Sequence, residues 1–353
     1  MSERVKAMGD GAASIGIGLI GVGYWGPNLL RNFQANPGAL VRWVCDLDHK
    51  RAEKTVGRYA SIRVTSSITE VLDDDAVDAV VVATPAATHF EVASAALQAR
   101  KHVLLEKPLA PTVAEGTALV ELAEQAGLVL MCDHTYCYTP AVQRIRDLVA
   151  TGTIGDVLYV DSVRINLGPW RTDVDALWDL APHDLSILDF ILPERWAPVA
   201  VAALGADPVR SGRPCMGFLT MPLRGGGVAH IHVNWLSPTK IRTMVLGGSR
   251  RTLVWDDLNP SQRLSVFDRG VDVAPPSTRE RHRELQVSFR LGEMIAPALP
   301  EVEALQNVVS EFLSAIEGRR SALTDGRAGL RVLHIMEAAE KSIADGSRLV
   351  PLT

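Results

Sequence analysis

The chain predicts an α/β doubly wound parallel sheet followed by an α+β domain built on a mainly antiparallel, open-faced sheet. Three observations carry this. In the first third, short continuous runs of Val, Ile and Leu alternate with helix-like segments. Beyond about residue 155, strand-like runs follow one another through glycine turns at hairpin spacing. The 353 residues, 47% hydrophobic and 22% charged, exceed what one small core holds and suggest two domains. We expect these at 1–136 and 137–353, with the last helix free to pack back on the first.

The first-domain strands are SIGIGLI, ALVRWVCD, DAVVVAT, HVLLEK and LVLMCDHT. Such unbroken apolar runs suit strands covered by helices on both faces. The segments PNLLRNF, DHKRAEKTVGRYA, ATHFEVASAALQAR and TVAEGTALVELAEQAG supply those helices. After a linking helix, PAVQRIRDLVATG, the runs DVLYVDSVRIN, CMGFLTMPLRGGGVAHIHVNW and IRTMVLGGSRRTLVWDD read as an antiparallel sheet with no helix between them. Asp268 to Arg283 is polar, charged and proline-interrupted, and we expect a mobile loop there. Two helical segments follow, EVEALQNVVSEFLSAIEG and GRAGLRVLHIMEAAEKSIADG, the second ending in a glycine placed for a C-cap. Helices sufficient for only one face of the second sheet leave alternating apolar positions of VAHIHVNWL and IRTMVLGG exposed, which predicts a homodimer or homotetramer.

A formal net charge of −5 without a long Lys/Arg run argues against nucleic acid and anionic membranes, leaving a small molecule as the expected partner. Cys45, Cys132, Cys137 and Cys215 lack CxxC spacing, so we read them as reduced core thiols and expect no metal site. The first dozen residues are polar and glycine-rich, and no apolar stretch reaches the ~20 residues of a membrane span. We expect a cytoplasmic enzyme.

Residues 18–33, GLIGVGYWGPNLLRNF, space three glycines as Gly21-x-Gly23-x-x-Gly26. The loop follows an apolar strand, opens a helix with Pro27 in its first turn, and precedes a second strand ending in Asp46. In a Rossmann domain Gly21 permits the turn, Gly23 admits a pyrophosphate and Gly26 lets helix and strand pack closely. The helix N-terminus adds N–H donors and a partial positive charge. Tyr24 and Trp25, between the glycines, are assigned to the cofactor set. Asp46 lies twenty residues past Gly26, where a carboxylate binds the adenosine ribose and repels a 2′-phosphate, favouring NAD over NADP. The plain alternative is a strand-to-helix turn with a strand-capping aspartate.

The next strands end in AVVVATPAATH, 79–89, and HVLLEKPLA, 102–110. Ligands sit beyond the carboxyl ends of such strands, so Thr84, Pro85, His89, Glu106 and Lys107 fall on the rim that should face the nicotinamide. Pro108 stiffens the turn presenting Lys107, which could equally be a solvated surface charge. In LWDLAPHDLSILDFIL, 177–192, Asp179 and His183 stand four apart, on one face if helical throughout. Pro182 argues for a helix start near Ala181 with Asp179 in its cap region. His183 would then sit near a helix N-terminus, kept neutral by the dipole and available as a base, or be a buried structural histidine.

Together, the glycine loop, the Glu106–Pro108 EKP, the Asp179/His183 pair and the domain order resemble the glucose–fructose oxidoreductase/inositol dehydrogenase (Gfo/Idh/MocA) family. GVGYWGPNLLRNF, DHTYCYTPAV, WDLAPHDLSILDFIL and NWLSP are similar to its bacterial nucleotide-sugar 3-dehydrogenase branch. The resemblance implies NAD-dependent oxidation of a secondary ring hydroxyl of a sugar, C3 favoured, ahead of transamination in amino-sugar biosynthesis. It implies Lys107 and His183 as catalytic residues, with Asp179 beside them, and an oligomer formed through the open sheet face. His134, Asn166, Arg171, Asp173 and Asp175 are expected to bind substrate. Asp175 departs from the asparagine of relatives. The negative charge it adds to Asp173 and Asp179 suits a cationic amino sugar, unless Asp175 merely caps a helix. Arg164 and Arg171 could hold a phosphate or neutralise the aspartates. A preassembled aminoglycoside is therefore the alternative substrate. A non-catalytic NAD-binding sensor, or a hydrolase that recycles NAD, stays open.

Overall fold

The computed structural model describes residues 14–59, 61–168, 170–171, 174–274 and 286–352; of the expected site residues, Asp173 lies outside these. The chain divides into two compact units. The first comprises the chain to Pro111, Ala118–Asp133 and Leu305–Asp325; the second comprises Thr112–Thr117, His134–Ala304 and Gly326–Thr353.

The first unit alternates strand and helix as its apolar pattern requires. Its elements are β1 (Ile15–Ile20), α1 (Gly26–Ala35), β2 (Ala39–Cys45), α2 (His49–Val56), β3 (Arg63–Thr65), α3 (Ile68–Leu72), β4 (Ala79–Val82), α4 (His89–Gln98), β5 (His102–Glu106), most of α5 (Val113–Ala126), and β6 (Leu130–Asp133). All strands are parallel, in the order β3-β2-β1-β4-β5-β6, the doubly wound dinucleotide-binding topology. Every residue of β1, β4 and β6 is buried, which explains runs without alternation. β3 and α3 lay beneath sequence detection, because an edge strand of three residues shows no periodicity.

The second unit contains α6 (Pro140–Ala150), β7 (Val157–Ile165), α7 (Ala176–Ile191), β8 (Ala200–Ala206), β9 (Met216–Pro222), β10 (Val228–Asn234), β11 (Ile241–Gly248), β12 (Thr252–Asp256), β13 (Leu264–Ala274) and β14 (Gln286–Ile295). Helix α8 (Ala304–Glu317) belongs to the first unit, where Phe312 meets Phe33 edge-on, and the second closes with α9 (Gly326–Ala344) and β15 (Val350–Pro351). Its nine-stranded sheet runs β14-β13-β12-β11-β7-β10-β9-β8-β15. The sheet is mixed at its centre: β7 and β10 are parallel, since α7, β8 and β9 intervene between them, whereas the other pairings are antiparallel. One face packs on α7, with Leu177, Ala181, Leu185 and Leu188 against Val160, Ile231, Val233 and Leu246. The other leaves Tyr159, Leu204 and Val228 exposed.

Two expectations are corrected. Asp268–Ala274 of the expected loop belongs to β13, paired with β14 from Gln286 onward; residues 275–285 are outside those described. Helix α7 starts at Ala176, five residues before the expected point, and carries Pro182 inside it. Asp175 caps it, accepting from Trp178 N at 2.9 Å. Burial of its apolar face offsets the ~3 kcal/mol an interior proline costs. The C-cap of α9 forms as expected: Gly346 (φ +73) donates to Ile343 O at 3.2 Å and Ser347 to Ser342 O at 2.7 Å. All four cysteines are buried without a disulfide, and burial pushes the Cys45 thiol up to about 11. Among the described residues no helix is long and apolar enough to cross a membrane.

Candidate active site

In the first unit the β1–α1 turn separates its glycines by purpose. Gly21 has φ +90, and a Cβ there would lie 2.7 Å from the Ala83 carbonyl. At Gly26 it would lie 2.6 Å from Gly21 O. At Gly23 a Cβ would meet no protein atom within 4 Å. Packing within the protein therefore requires Gly21 and Gly26, while the bare backbone at Gly23 faces space that a ligand can approach. Trp25 is the N-cap residue of α1 and stacks on the exposed Tyr24, ring centroids 6.2 Å apart.

Asp46 ends β2 almost fully buried. Its Oδ2 accepts from Val22 N at 2.8 Å, inside the glycine loop, and Oδ1 accepts from Asp48 N at 2.9 Å and Arg51 Nη2 at 3.0 Å. The carboxylate thus braces the loop it was expected to serve. Arg51, on the first turn of α2, escaped the sequence reading; its only signal is a cation five residues after the ribose-position acid.

On the rim, His89 is sealed between two backbone carbonyls, Pro108 O at 2.7 Å from Nδ1 and Thr84 O at 3.0 Å from Nε2. Burial lowers its pKa, against the pull of both carbonyls, and a neutral imidazole donates to only one. His89 therefore ties the turn after β4 to the turn carrying Lys107, and its ring has no nitrogen left for proton transfer. Pro85 is exposed and Thr84 half-buried; Thr84 Oγ1 accepts from Thr88 Oγ1 at 2.9 Å. Glu106 and Lys107 follow one another at the end of β5, both half-buried.

In the second unit, the early start of α7 puts Asp179 and His183 one turn apart on one helical face. His183 is two turns in, beyond the reach of the helix-end dipole, so that reason for its neutrality falls away. Asp179 is held by Trp235 Nε1, donating to Oδ2 at 3.3 Å, and by Arg171 Nη1, 3.6 Å from Oδ1. The Tyr136 ring meets the His183 ring edge-on at 5.0 Å, and the Arg164 guanidinium lies over that tyrosine at 4.3 Å. Arg164 is itself locked in a buried bidentate pair with Asp184, at 2.7 and 3.1 Å, with Ser162 Oγ donating to the same carboxylate at 2.9 Å. It is thus removed from phosphate binding, and of the two arginines Arg171 alone neutralises an aspartate of the cluster. Burial raises the pKa of Asp175, with repulsion from Asp179 adding to it and Arg213 opposing. The cap bond at Asp175 is the helix-capping alternative realised. Asn166 follows β7, its N–H donating to Asn234 O at 3.0 Å, and His134 is buried at the start of the unit. Tyr136 and Trp235 were missed by sequence reading, because a lone aromatic beside a strand end looks like core.

Comparison with known proteins is consistent with both units. A family model described as an oxidoreductase family with an NAD-binding Rossmann fold matches residues 15–134. The GFO/IDH/MocA C-terminal domain model matches residues 142–254. The UDP-N-acetylglucosamine 3-dehydrogenase of Acidithiobacillus ferrooxidans is 30% identical over 319 residues, covering 90% of this chain and 93% of that one. Its crystal structure superposes with a TM-score of 0.80 at 28% identity, covering 96% of this chain and 100% of that one. A protein of gentamicin A biosynthesis, solved in complex with NAD, matches with a TM-score of 0.79 at 25% identity over 100% of this chain and 99% of that one.

Proposed function

Because the chain belongs to the GFO/IDH/MocA oxidoreductase family, with its NAD-binding domain, we propose that it oxidises a secondary ring hydroxyl of a sugar to a ketone. C3 of a nucleotide sugar, ahead of transamination in amino-sugar biosynthesis, is the substrate position we favour. The observation that carries the chemistry is the Asp179–His183 dyad, one turn apart on α7 with Asp179 held by Trp235 and Arg171. The substrate class rests on similarity to the UDP-N-acetylglucosamine enzyme.

NAD fits the chain's own geometry, since the space beside Gly23 admits a pyrophosphate and Asp46 stands ready for the ribose. When bound, it supplies the hydride acceptor. The hydroxyl proton passes to neutral His183 as the carbon is oxidised, and Asp179 keeps that imidazole oriented. The Lys107 ammonium hydrogen-bonds the oxygen and stabilises the developing alkoxide. His134, Asn166, Arg171, Asp173 and Asp175 remain our substrate-binding set, with Tyr24, Trp25, Thr84, Pro85 and Glu106 on the cofactor side. The cytoplasm, which keeps thiols reduced, suits the four buried cysteines.

The similarity to a gentamicin-biosynthesis protein favours one second reading, the same oxidation on a preassembled amino-sugar glycoside. Following NADH absorbance with nucleotide sugars and aminoglycosides in parallel separates the two. NADH formation from neither class would return the chain to the NAD-sensor reading.

A further inference from the structure

We propose that Glu106 and Asp133 share a single proton, forming a buried acid pair whose one negative charge positions Lys107. The two residues are the terminal residues of β5 and β6 and are direct partners in the parallel register, so their side chains leave the same face of the sheet. Asp133 is 1% exposed and Glu106 Oε1 is sealed from solvent. A side-chain hydrogen bond joins the two carboxyl groups. An ionised carboxylate only accepts, so a hydrogen bond between two carboxyl groups requires that one keep its proton.

The electrostatics agree. Burial, then the Asp133 charge, hold the Glu106 carboxyl well above the usual carboxylate range, and Lys107 pulls the other way. The position of the pair is fixed from the far side: Cys132 N donates to Thr324 O at 2.9 Å and Thr324 Oγ1 donates to Cys132 O at 2.7 Å.

This inference rests on the reading that Lys107 acts on the substrate oxygen. A cation given that task needs a nearby counter-charge, but a free carboxylate would draw it into a direct ion pair. A carboxylate already engaged with a partner's proton keeps the charge in place and weakens that competing contact. Asp133 is on this account a positioning residue, acting through Glu106 on Lys107.

Infrared spectroscopy of the intact protein in D2O at neutral pH tests it. We expect the carbonyl stretch of a protonated carboxyl group in the parent. It should vanish in Asp133→Asn, where Glu106 ionises and accepts from the new amide. A parent spectrum without that band overturns the proposal and needs no variant to fold. A band that persists in Asp133→Asn overturns it also. The Glu106→Gln/Asp133→Asn double variant removes the charge altogether, and turnover at saturating substrate and NAD should fall about 10- to 100-fold. Parent-like turnover in that variant overturns the positioning role, whereas parent-like turnover in Lys107→Ala overturns the reading beneath it.

Discussion

Replacing Gly23 by alanine should separate cofactor binding from folding. The added methyl meets no protein atom within 4 Å, and the position lacks the positive φ that makes alanine costly at Gly21. Losing the glycine's freedom in the unfolded chain should leave stability unchanged or raise it by about 0.4–1 kcal/mol. The methyl would instead occupy the approach of the pyrophosphate to the backbone. Losing one charge-assisted hydrogen bond there costs about 1.5–3 kcal/mol, or a roughly 10- to 100-fold weaker NAD complex. Gly21→Ala is the contrast. Its Cβ would fall 2.7 Å from the Ala83 carbonyl at a φ of +90, so about 2–5 kcal/mol of stability should go. Calorimetric unfolding and NAD titration on the three proteins make the comparison. Parent-like NAD affinity in Gly23→Ala would refute the assignment of that space to the cofactor.

Four further outcomes are expected. NAD should be used far better than NADP, and Asp46→Ala should narrow the gap by weakening NAD while freeing Val22 N and Arg51 from their bonds; a parent that prefers NADP contradicts this. Lys107→Ala and His183→Ala should each lower turnover by about 10²- to 10⁴-fold with NAD affinity retained, and losses within about threefold for both would reassign the proton to another residue, His134 first. Light scattering at micromolar concentration should report a dimer or tetramer through the open sheet face, which a clean monomer would rule out. Stability should decline as pH falls below about 6.5, because burial depresses the folded pKa of His89 and His102 and the unfolded chain then binds more protons. His89→Asn should flatten that decline, and an unchanged slope would remove His89 from the account.

Much of the site was legible because local rules govern it. The glycine spacing, the acid closing the second strand and the EKP turn are consequences of chain geometry within a few residues, and the unbroken apolar runs report burial on both faces. The start of α7 was misjudged because proline propensity is local, whereas Leu177, Ala181 and Leu185 are stabilised by a sheet formed from distant strands. The parallel pairing of β7 with β10 has the same origin, since hairpin spacing describes neighbours in sequence and not strands brought together across a helix.

What the sequence determined by itself is the class of the chain and the inventory of its chemistry: a dinucleotide loop, a lysine at a strand end, and a histidine four residues from an aspartate. What only the tertiary structure decided is the employment of the charged groups. Sequence offered Arg164 as a phosphate ligand, and the fold spends it on Asp184. It offered His89 as a proton carrier, and the fold closes both ring nitrogens with carbonyls. Asp46 was expected to face a ribose alone and also holds the glycine loop. A buried polar group must find a partner whatever its type, and that partner is set by strand register and burial, both of which depend on residues far away in the chain.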